Sequence, residues 1–400
     1  MKLASRIAKI EGSKTLQVKE KALQLQADGI DVVDLTAGEP DFNTPDHIGR
    51  AGIRAIEEGF TRYTANTGIP ALRKAIADKL ERENRLHYTP EQIIVSNGAK
   101  QSILNALLAV AEKGDKVLLA APYWVSYPEQ VKLADAEPVI IDTTKSGFKI
   151  TPQLLKQHLN PSVKAIILNS PCNPTGVVYT AAELQALADI LQHENIWIIS
   201  DEIYEKIIFD ELPHTSIASY HNLAEKTIVI NGMSKAYAMT GWRIGYAAGP
   251  LAVVKAMSKV QSHYTSNASS ISQKAALEAV NGPDDVVTGM CKVFEKRRDF
   301  IREKLDAQPV LSYVNPQGAF YFFINASGLF GCDCEGIRIE DSLSLSAYLT
   351  EKHHLVTVPG IAFGADEYIR ISFATSMEQL EKGMGRLLKA VDKIQSEKKG

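Results

Sequence analysis

Residues 163–201, VKAIILNSPCNPTGVVYTAAELQALADILQHENIWIISD, contain the clearest secondary-structure pattern of the chain. They begin with a short apolar run at Val163–Asn169 and end with a second at Ile196–Asp201. Such runs, rich in branched aliphatic residues and bounded by turn residues, predict buried strands. Between them, Thr180–His193 has apolar residues recurring at intervals of three and four, which predicts a helix. This order predicts parallel strands joined by a helix that covers the sheet.

The same alternation continues on both sides of this unit. Helical periodicity recurs at Ala99–Glu112 and Leu251–Ser262. Further strands are predicted at Ile93–Ser96, Lys116–Leu119, Pro138–Asp142, Thr227–Ile230 and Arg243–Ala247. The sequence therefore predicts an α/β fold whose large domain is a mostly parallel, seven-stranded sheet covered by helices.

The two ends of the chain have a different pattern. The N-terminal part contains a predicted helix at Thr15–Gly29. The C-terminal part predicts a polar helix, an aromatic strand, a helix, a strand and a last helix, at Asp284–Gln308, Gly318–Ile324, Ser342–His354, Tyr368–Phe373 and Met377–Ile394. Strands with helices on one side are typical of an α+β unit. We expect a large domain over 46–285 and a smaller α+β domain built from both chain ends, 1–45 plus 286–400.

Composition and charge exclude several classes of protein. Lys plus Arg total 44 and Asp plus Glu total 47, whereas proteins that coat nucleic acids carry an excess of cations. Apolar residues make up 45% of the chain, which excludes wholesale disorder. Four cysteines are too few for a disulfide framework, and Cys332–Cys334 lacks the second pair that a zinc site needs. Because no long apolar segment suggests a membrane span or secretory signal, we expect a cytoplasmic protein.

Lys235 lies in the string SKAYAMTGWR, directly after the predicted strand Thr227–Ile230. Open α/β sheets bind ligands at the carboxyl ends of their strands. A lysine at that edge could be an ordinary solvated loop residue. In a partly desolvated site its pKa would fall, and its amine could form a Schiff base with a carbonyl compound.

Other polar groups follow neighbouring predicted strands. Asp201 ends the run at Ile196–Asp201, and Tyr204 follows three residues later. The carboxylate either caps the following turn or faces a cation in a cleft. Asn173 lies in the string NSPCNPTG directly after Val163–Asn169, where two prolines and a glycine predict a rigid turn. Turn formation alone would explain that string, but its amide would lie at the same sheet edge as Asp201.

The turn Ser96–Gln101, SNGAKQ, connects a predicted strand to an apolar helix. Small residues there expose backbone N–H groups at a helix N-terminus, which suits a phosphate. Neither the Walker pattern nor G-x-G-x-x-G is present, which argues against an ATPase and a standard dinucleotide fold.

Together these groups describe one ligand. A phosphate would lie at Gly98–Lys100 with Arg243, and an aromatic ring would place a cation at Asp201 and an aldehyde carbon at Lys235. A phenolic oxygen would lie near Tyr204 and Asn173. That ligand is pyridoxal 5′-phosphate.

With these motifs the chain resembles the class I/II, fold-type I aminotransferases that depend on pyridoxal phosphate, and among them the bacterial and archaeal aspartate aminotransferases. The resemblance covers nearly the whole chain. Besides the Lys235 string, it is carried by LTAGEPDF at 35–42, RYT at 62–64, PYWVSYP at 122–128, NPTG at 173–176, SDEIY at 200–204 and RIS at 370–372.

The resemblance implies a role for each matched cofactor residue. Lys235 would be the Schiff-base and proton-transfer lysine, and Asp201 the partner of the pyridinium nitrogen. Tyr204 would bind the phenolic oxygen and Trp124 would stack on the ring. The remaining implied cofactor contacts are Gly98, Ala99, Lys100, Asn173, Ser234, Arg243 and Tyr63, the last reaching across from a second subunit of a homodimer. Many relatives carry a hydroxyl at the position of Gly232, so we expect Ser234 or water to replace it.

The implied substrates are an amino acid and a 2-oxo acid. Arg370 would bind the α-carboxylate, a task that suits a planar guanidinium, with Gly38, Trp124 and Asn173 completing that pocket. A second carboxylate would be bound by Lys100, Ser13 and Thr15, although Lys100 could instead be a surface lysine at a helix start. The implied reaction is transfer of the amino group of aspartate to 2-oxoglutarate, with aromatic amino acids and prephenate as alternatives.

Two other functions stay open. A β-eliminating C–S lyase would use the same lysine and aspartate without a pocket for a second carboxylate. A non-catalytic regulator that binds pyridoxal phosphate would need a DNA-binding domain, and the residues before Leu35 are too few for one.

Overall fold

The structure is a computed structural model that describes residues 3–4, 7–10, 12 and 16–399. Its strands, in chain order, are β1 (Val33–Asp34), β2 (Ile93–Ser96), β3 (Lys116–Ala121), β4 (Glu137–Asp142), β5 (Val163–Asn169), β6 (Trp197–Asp201), β7 (Thr227–Gly232), β8 (Gly245–Ala248), β9 (Ser312–Tyr313), β10 (Tyr321–Asn325), β11 (Cys332–Cys334), β12 (Ile337–Ile339), β13 (Leu355–Val356), β14 (Val358–Pro359) and β15 (Tyr368–Ser372).

The helices surround these strands. In chain order they are α1 (Leu16–Ala27), α2 (Asp46–Glu57), α3 (Pro70–Asn84), α4 (Ala99–Val110), α5 (Ser126–Leu133), α6 (Pro152–His158), α7 (Ala181–Leu191), α8 (Leu251–Tyr264), α9 (Ser270–Asn281), α10 (Asp285–Asp306), α11 (Ser342–His353) and α12 (Met377–Lys399).

Seven strands form the central sheet in the order β2-β8-β7-β6-β5-β3-β4. All neighbours pair in parallel except β8, which is antiparallel to both β2 and β7. The strands β5, β6 and β7 are buried over most of their length, as expected when helices cover both faces. The predicted α/β class with a mostly parallel seven-stranded sheet is confirmed.

The register of this sheet positions the polar residues found in the sequence. Asn169 pairs with Asp201, and Asp201 pairs with Ile230. The carboxyl ends of β5, β6 and β7 therefore lie at one edge, and the segments that carry Asn173, Asp201 and Lys235 leave the sheet there.

A smaller antiparallel sheet has the order β14-β15-β10-β9. The first described strand of the chain, β1, pairs in parallel with β13, so Val33 lies opposite Leu355. The N-terminal segment thus packs with C-terminal elements, in agreement with the predicted α+β part. The domain limits 1–45, 46–285 and 286–400 stay a prediction.

The element limits differ from the predictions in a few places. The strand predicted at Arg243–Ala247 is β8, which begins two residues later because Arg243 has a φ of 54°, in the left-handed region. The helices α2, α5, α6 and α9 were not predicted. Among the described residues, no helix is both long and apolar enough to cross a membrane. The cytoplasmic location stays a prediction.

Candidate active site

A cleft of about 790 Å³ opens at the carboxyl edge of the central sheet. Residues of the smaller sheet, Tyr321 and Arg370, also line it. Most of the residues singled out in the sequence line this cleft together: Gly38, Ala99, Lys100, Trp124, Asn173, Asp201, Tyr204, Ser234, Lys235, Arg243 and Arg370.

Lys235 projects into the cleft from the segment after β7. Its Nζ donates a hydrogen bond of 2.5 Å to the carbonyl oxygen of Gly38, a neutral acceptor. Burial lowers the pKa of Lys235 to about 8; the charge of Glu39 opposes this, while those of Arg370 and Arg243 reinforce it. An amine with this pKa is partly neutral near pH 7 and can act as a nucleophile or base.

Asp201 lies at the end of β6 and is buried. Its Oδ2 accepts a hydrogen bond of 2.6 Å from the Tyr127 hydroxyl, and its Oδ1 accepts one of 3.3 Å from the amide of Ile203. Burial raises the pKa of Asp201 to about 6, although both hydrogen bonds oppose the shift. The carboxylate is therefore held in the cleft by neutral donors only.

Two buried tyrosines form the side of the cleft next to Arg370. The hydroxyls of Tyr204 and Tyr321 are 2.9 Å apart. Burial raises the pKa of Tyr204 well above its usual range, so the phenol stays protonated and can donate a hydrogen bond.

Arg370, on β15, is a buried guanidinium whose partners are neutral. It donates to Asn173 Oδ1 at 2.9 Å and to the carbonyl of Thr36 at 3.0 Å, and it lies 4.3 Å from the centre of the Tyr321 ring. Its Nε is buried and has no hydrogen-bond partner in the part of the chain that the structure describes. Burial also lowers the pKa of Arg370. A bidentate carboxylate would satisfy such a group.

The N-terminus of α4 and Arg243 form the opposite end of the cleft. Gly98 has a φ of 80°, and a Cβ there would lie 2.5 Å from Arg243 Nη2. A Cβ on Gly245 would lie 2.3 Å from the Ala99 nitrogen, so only glycine allows β8 to approach this helix end. Arg243 donates to the carbonyls of Thr240 and Asn97, which are neutral.

Gly232, where we expected a lost phosphate contact, has no room for a side chain. A Cβ there would lie 2.8 Å from the Gly245 Cα and 2.9 Å from the Ile244 carbonyl. The hydroxyl nearest to Gly232 along the sequence is that of Ser234, two residues later, and Ser234 lines the cleft.

Trp124 and Lys100 form one wall of the cleft. The Lys100 ammonium lies 4.9 Å from the centre of the Trp124 ring, a cation–π geometry. Burial lowers the pKa of Lys100, and the charge of Arg243 contributes to the shift. Lys100 thus lines the cleft, although its side chain is exposed to solvent.

The cleft lining does not account for every predicted site residue. Tyr63 is 91% exposed and does not line the cleft. Ser13 and Thr15 fall outside the described residues. The sequence reasoning missed Tyr127 and Tyr321, which contact Asp201, Tyr204 and Arg370. The segment around Tyr321 was predicted only as an aromatic strand, because nothing in the sequence marks the Tyr321 hydroxyl as a site group.

The charges of this cleft are unbalanced. Its lining has five cations and three carboxylates: Lys100, Lys132, Lys235, Arg243, Arg370, Glu39, Glu129 and Asp201. Lys132 pairs with Glu129, whereas among the described residues no ion pair joins the other four cations to a carboxylate. A ligand with several negative charges would complement them.

A comparison with protein families identifies the family of this chain. Residues 30–387 match the family model "Aminotransferase class I and II". The chain belongs to the class I and II aminotransferase family. This family uses pyridoxal phosphate, and the resemblance seen in the sequence is confirmed.

Curated members of the aminotransferase family are similar over nearly the whole chain. The aspartate aminotransferase of Geobacillus stearothermophilus is 47% identical, with 97% of this chain and 98% of the relative covered. The bifunctional aspartate aminotransferase and glutamate/aspartate-prephenate aminotransferase of Petunia hybrida is 48% identical, with 97% and 82% covered.

Solved aminotransferase structures are also similar. The aspartate aminotransferase from Rhizobium meliloti has a TM-score of 0.95 at 42% identity, covering 98% of this chain and 99% of that chain. The Thermus thermophilus aspartate aminotransferase with maleate has a TM-score of 0.91 at 40% identity, covering 97% and 99%.

The polar groups of the cleft fit pyridoxal phosphate, the cofactor of this family. Among the described residues, the Ala99 and Lys100 amides at the start of α4 have no hydrogen-bond acceptor, and the Arg243 guanidinium lies next to Gly98, the residue before them. Helix N-termini with a nearby cation suit a phosphate. Asp201, buried without a counter-ion, suits a ring cation, and Lys235 supplies an amine of lowered pKa.

Proposed function

We propose that this chain is an aspartate aminotransferase that transfers the amino group of L-aspartate to 2-oxoglutarate with pyridoxal phosphate held on Lys235. One observation carries the proposal. Around a single cleft, Asp201 and Arg370 are buried and Lys235 is half-buried, and among the described residues these three charges are hydrogen-bonded only to neutral groups. Burying charges without counter-ions is unfavourable, so they are best explained by a charged ligand that pairs with them.

When bound, pyridoxal phosphate supplies an aldehyde that condenses with amines and a protonated ring that accepts negative charge from the α-carbon. Its phosphate would be held by the Ala99 and Lys100 amides, with Ser234 and Arg243. Asp201 would bind its ring nitrogen. The remaining contacts proposed from the resemblance are Gly98, Trp124, Asn173 and Tyr204, with Tyr63 from a second subunit.

Lys235 would perform the proton transfer. Its Nζ would remove the proton from the substrate α-carbon. The lowered pKa leaves part of this amine unprotonated near pH 7. Tyr204, protonated because it is buried, would donate a hydrogen bond within the cleft.

Arg370 and Lys100 would select a dicarboxylate. The guanidinium of Arg370 would bind the α-carboxylate next to Asn173 and Gly38, and the ammonium of Lys100 would bind the side-chain carboxylate. The proposal is supported by the relatives named as aspartate aminotransferases and by the relative solved with maleate, a dicarboxylate. We keep Ser13 and Thr15 as proposed further contacts of the second carboxylate.

Prephenate is a second candidate amino acceptor. The Petunia hybrida relative is named for both aspartate and prephenate transamination, as is a relative from Cereibacter sphaeroides that is 45% identical. Prephenate also carries two carboxylates, so Arg370 and Lys100 would serve it as well.

We also propose a homodimer with shared sites. Tyr63 is 91% exposed, and Ile53 and Ile56 on α2 are each 56% exposed, which is unusual for large apolar side chains. A second copy covering this surface would bring its Tyr63 to the cleft. The oligomeric mass, measured by light scattering, tests this directly.

A half-reaction screen tests the proposed substrate. The protein loaded with pyridoxal phosphate is mixed with one amino acid at a time, and conversion of the cofactor to its amine form is followed by absorbance. We expect aspartate and glutamate to react fastest, and Lys100→Ala to slow these two far more than alanine. Equal slowing of all three would remove Lys100 from the specificity pocket. Release of pyruvate from cystathionine without conversion of aspartate would instead indicate a C–S lyase.

A further inference from the structure

Tyr127 is a buried residue of the cleft that the proposed function leaves without a role. It lies in the first turn of α5 and is 3% exposed, and Asp201 is 4% exposed. The Tyr127 hydroxyl donates a hydrogen bond of 2.6 Å to Asp201 Oδ2. The other donor to this carboxylate, the Ile203 amide, is 3.3 Å from Oδ1. Tyr127 therefore makes the shorter of the two hydrogen bonds that hold Asp201.

The direction of this hydrogen bond is fixed by the two groups. Burial and the neighbouring Asp201 raise the pKa of Tyr127 well above its usual range, so the phenol keeps its proton. A protonated phenol next to a carboxylate can only donate to it. A donated hydrogen bond stabilises the charged form of a carboxyl group and thereby opposes the effect of burial.

The position of the Tyr127 hydroxyl is itself fixed by packing. Its ring meets the Trp124 ring edge to face, with centres 5.3 Å apart, and its amide donates to the Trp124 carbonyl at 2.9 Å. Four residues further along α5 from Ser126, Gln130 donates from Nε2 to the Lys100 carbonyl at 2.8 Å. One short helix thus connects the Trp124 wall, the start of α4 and the Asp201 carboxylate.

We propose that Tyr127 is a positioning residue that holds the Asp201 carboxylate in place and keeps it a weak base, so that a proton shared with the ring nitrogen of the cofactor stays on the ring. The inference rests on the proposed function. Without the phenol, Asp201 would bind a proton more tightly and draw it away from the ring. A less protonated ring would accept charge from the α-carbon less well.

The test compares Tyr127→Phe with Tyr88→Phe in the protein loaded with pyridoxal phosphate. Tyr88 is a matched control, since its buried hydroxyl has no hydrogen-bond partner within the described ranges. The first readout is the nitrogen NMR shift of cofactor labelled with nitrogen-15 in its ring, which reports ring protonation. The others are the cofactor Kd and the kcat and KM for aspartate.

We expect Tyr127→Phe to move the ring-nitrogen shift toward the unprotonated value and to lower kcat roughly tenfold, the size expected for a hydrogen bond to a charged group. The KM for aspartate should change little, and Tyr88→Phe should resemble the wild type. Replacing Tyr127 by 3-fluorotyrosine, which keeps the ring shape and donates more strongly, should leave the ring at least as protonated as in the wild type.

An unchanged ring-nitrogen shift in Tyr127→Phe would overturn the inference, even if activity fell, because Tyr127 would then be merely structural. The same shift in Tyr88→Phe would also overturn it. If Tyr127→Phe does not fold, the fluorotyrosine protein decides, and a less protonated ring there counts against the inference. Failure of the proposed function would look different, since the wild type itself would then bind no cofactor or leave aspartate unchanged.

Discussion

Asp201 and Glu202 are neighbours at the end of β6, yet their carboxylates lie in two different charge environments. Asp201 belongs to the cleft charges, which we define as Asp201, Lys235 and Arg370. Glu202 belongs to a rear cluster, which we define as Lys79, Glu202, Glu205 and His214. Both sets are largely buried.

The rear cluster pairs its charges with one another. Glu202 accepts hydrogen bonds from Ser200, Ser216 and His214. Lys79 Nζ forms a hydrogen-bonded ion pair with Glu205 Oε1. Burial raises the pKa of Glu205, but the charges of Lys79 and His214 outweigh it and lower that pKa to about 2.

The cleft charges have no such partners. Lys235 donates a hydrogen bond to a backbone carbonyl. Asp201 accepts hydrogen bonds from a phenol and a backbone amide. Arg370 donates to a side-chain amide and to a backbone carbonyl. A fold can thus hold buried charges in two ways: one pairs them permanently and stabilises the structure, and the other leaves them for a ligand. We therefore expect substitutions in the cleft to affect function, and substitutions in the rear cluster to affect stability.

Lys235→Ala should have the largest effect on function. Loss of the amine that we propose bonds the cofactor and moves the proton should lower kcat for aspartate by about four orders of magnitude. The midpoint of chemical unfolding should not fall, because no ion pair is broken. Steady-state kinetics and urea unfolding on one preparation test both statements, and a destabilised but active variant would reverse the comparison.

Lys79→Met should have the largest effect on stability. Removing one partner of a buried ion pair costs about 3–5 kcal/mol, and Lys79 is the partner that forms an ion pair with Glu205. The control is Lys74→Met on the same helix. The ion pair between Lys74 and Asp78 is exposed, so it should contribute less than about 1 kcal/mol to the free energy of unfolding. Equal unfolding midpoints for the two variants would show that the rear cluster does not stabilise the fold.

Arg370→Ala should separate substrate binding from cofactor binding. Loss of a bidentate carboxylate contact should raise the KM for aspartate about a hundredfold, while the Kd for pyridoxal phosphate changes little. Arg370→Lys keeps the charge but not the planar pair of donors, so it should recover only part of the loss. If KM and Kd rose together, Arg370 would have a structural role like that of the rear cluster.

Substitution of His214 should have the smallest effect, a change in how the stability of the fold depends on pH. Burial lowers the pKa of His214, but the hydrogen bond and charge of Glu202, with Glu205, outweigh it and raise that pKa above 6.5. A raised folded-state pKa stabilises the fold below about pH 6.5, and this contribution is lost as the pH rises through the folded-state value. His214→Gln should flatten the unfolding midpoint between about pH 5 and pH 9. A slope that persists in the variant would assign the effect to other groups.

Much of the fold could be predicted because its strands are local apolar runs separated by amphipathic helices. The cleft could be located as well, since Asn173, Asp201 and Lys235 each follow a strand of one parallel sheet. Tyr127 could not be found this way: it sits in an unpredicted helix, and its only visible signal was membership of a matched motif. Lys79 was also invisible, because a lysine in a polar helix gives no sign that it will be buried against Glu205.

Borohydride reduction tests the central claim most directly. The protein is incubated with pyridoxal phosphate, reduced with borohydride, digested and mapped by mass spectrometry. We expect the yellow absorbance to disappear and one cofactor to be fixed on the peptide that contains Lys235, with none on Lys79 or Lys100. A protein that stays colourless, or a cofactor fixed on another lysine, would contradict the account.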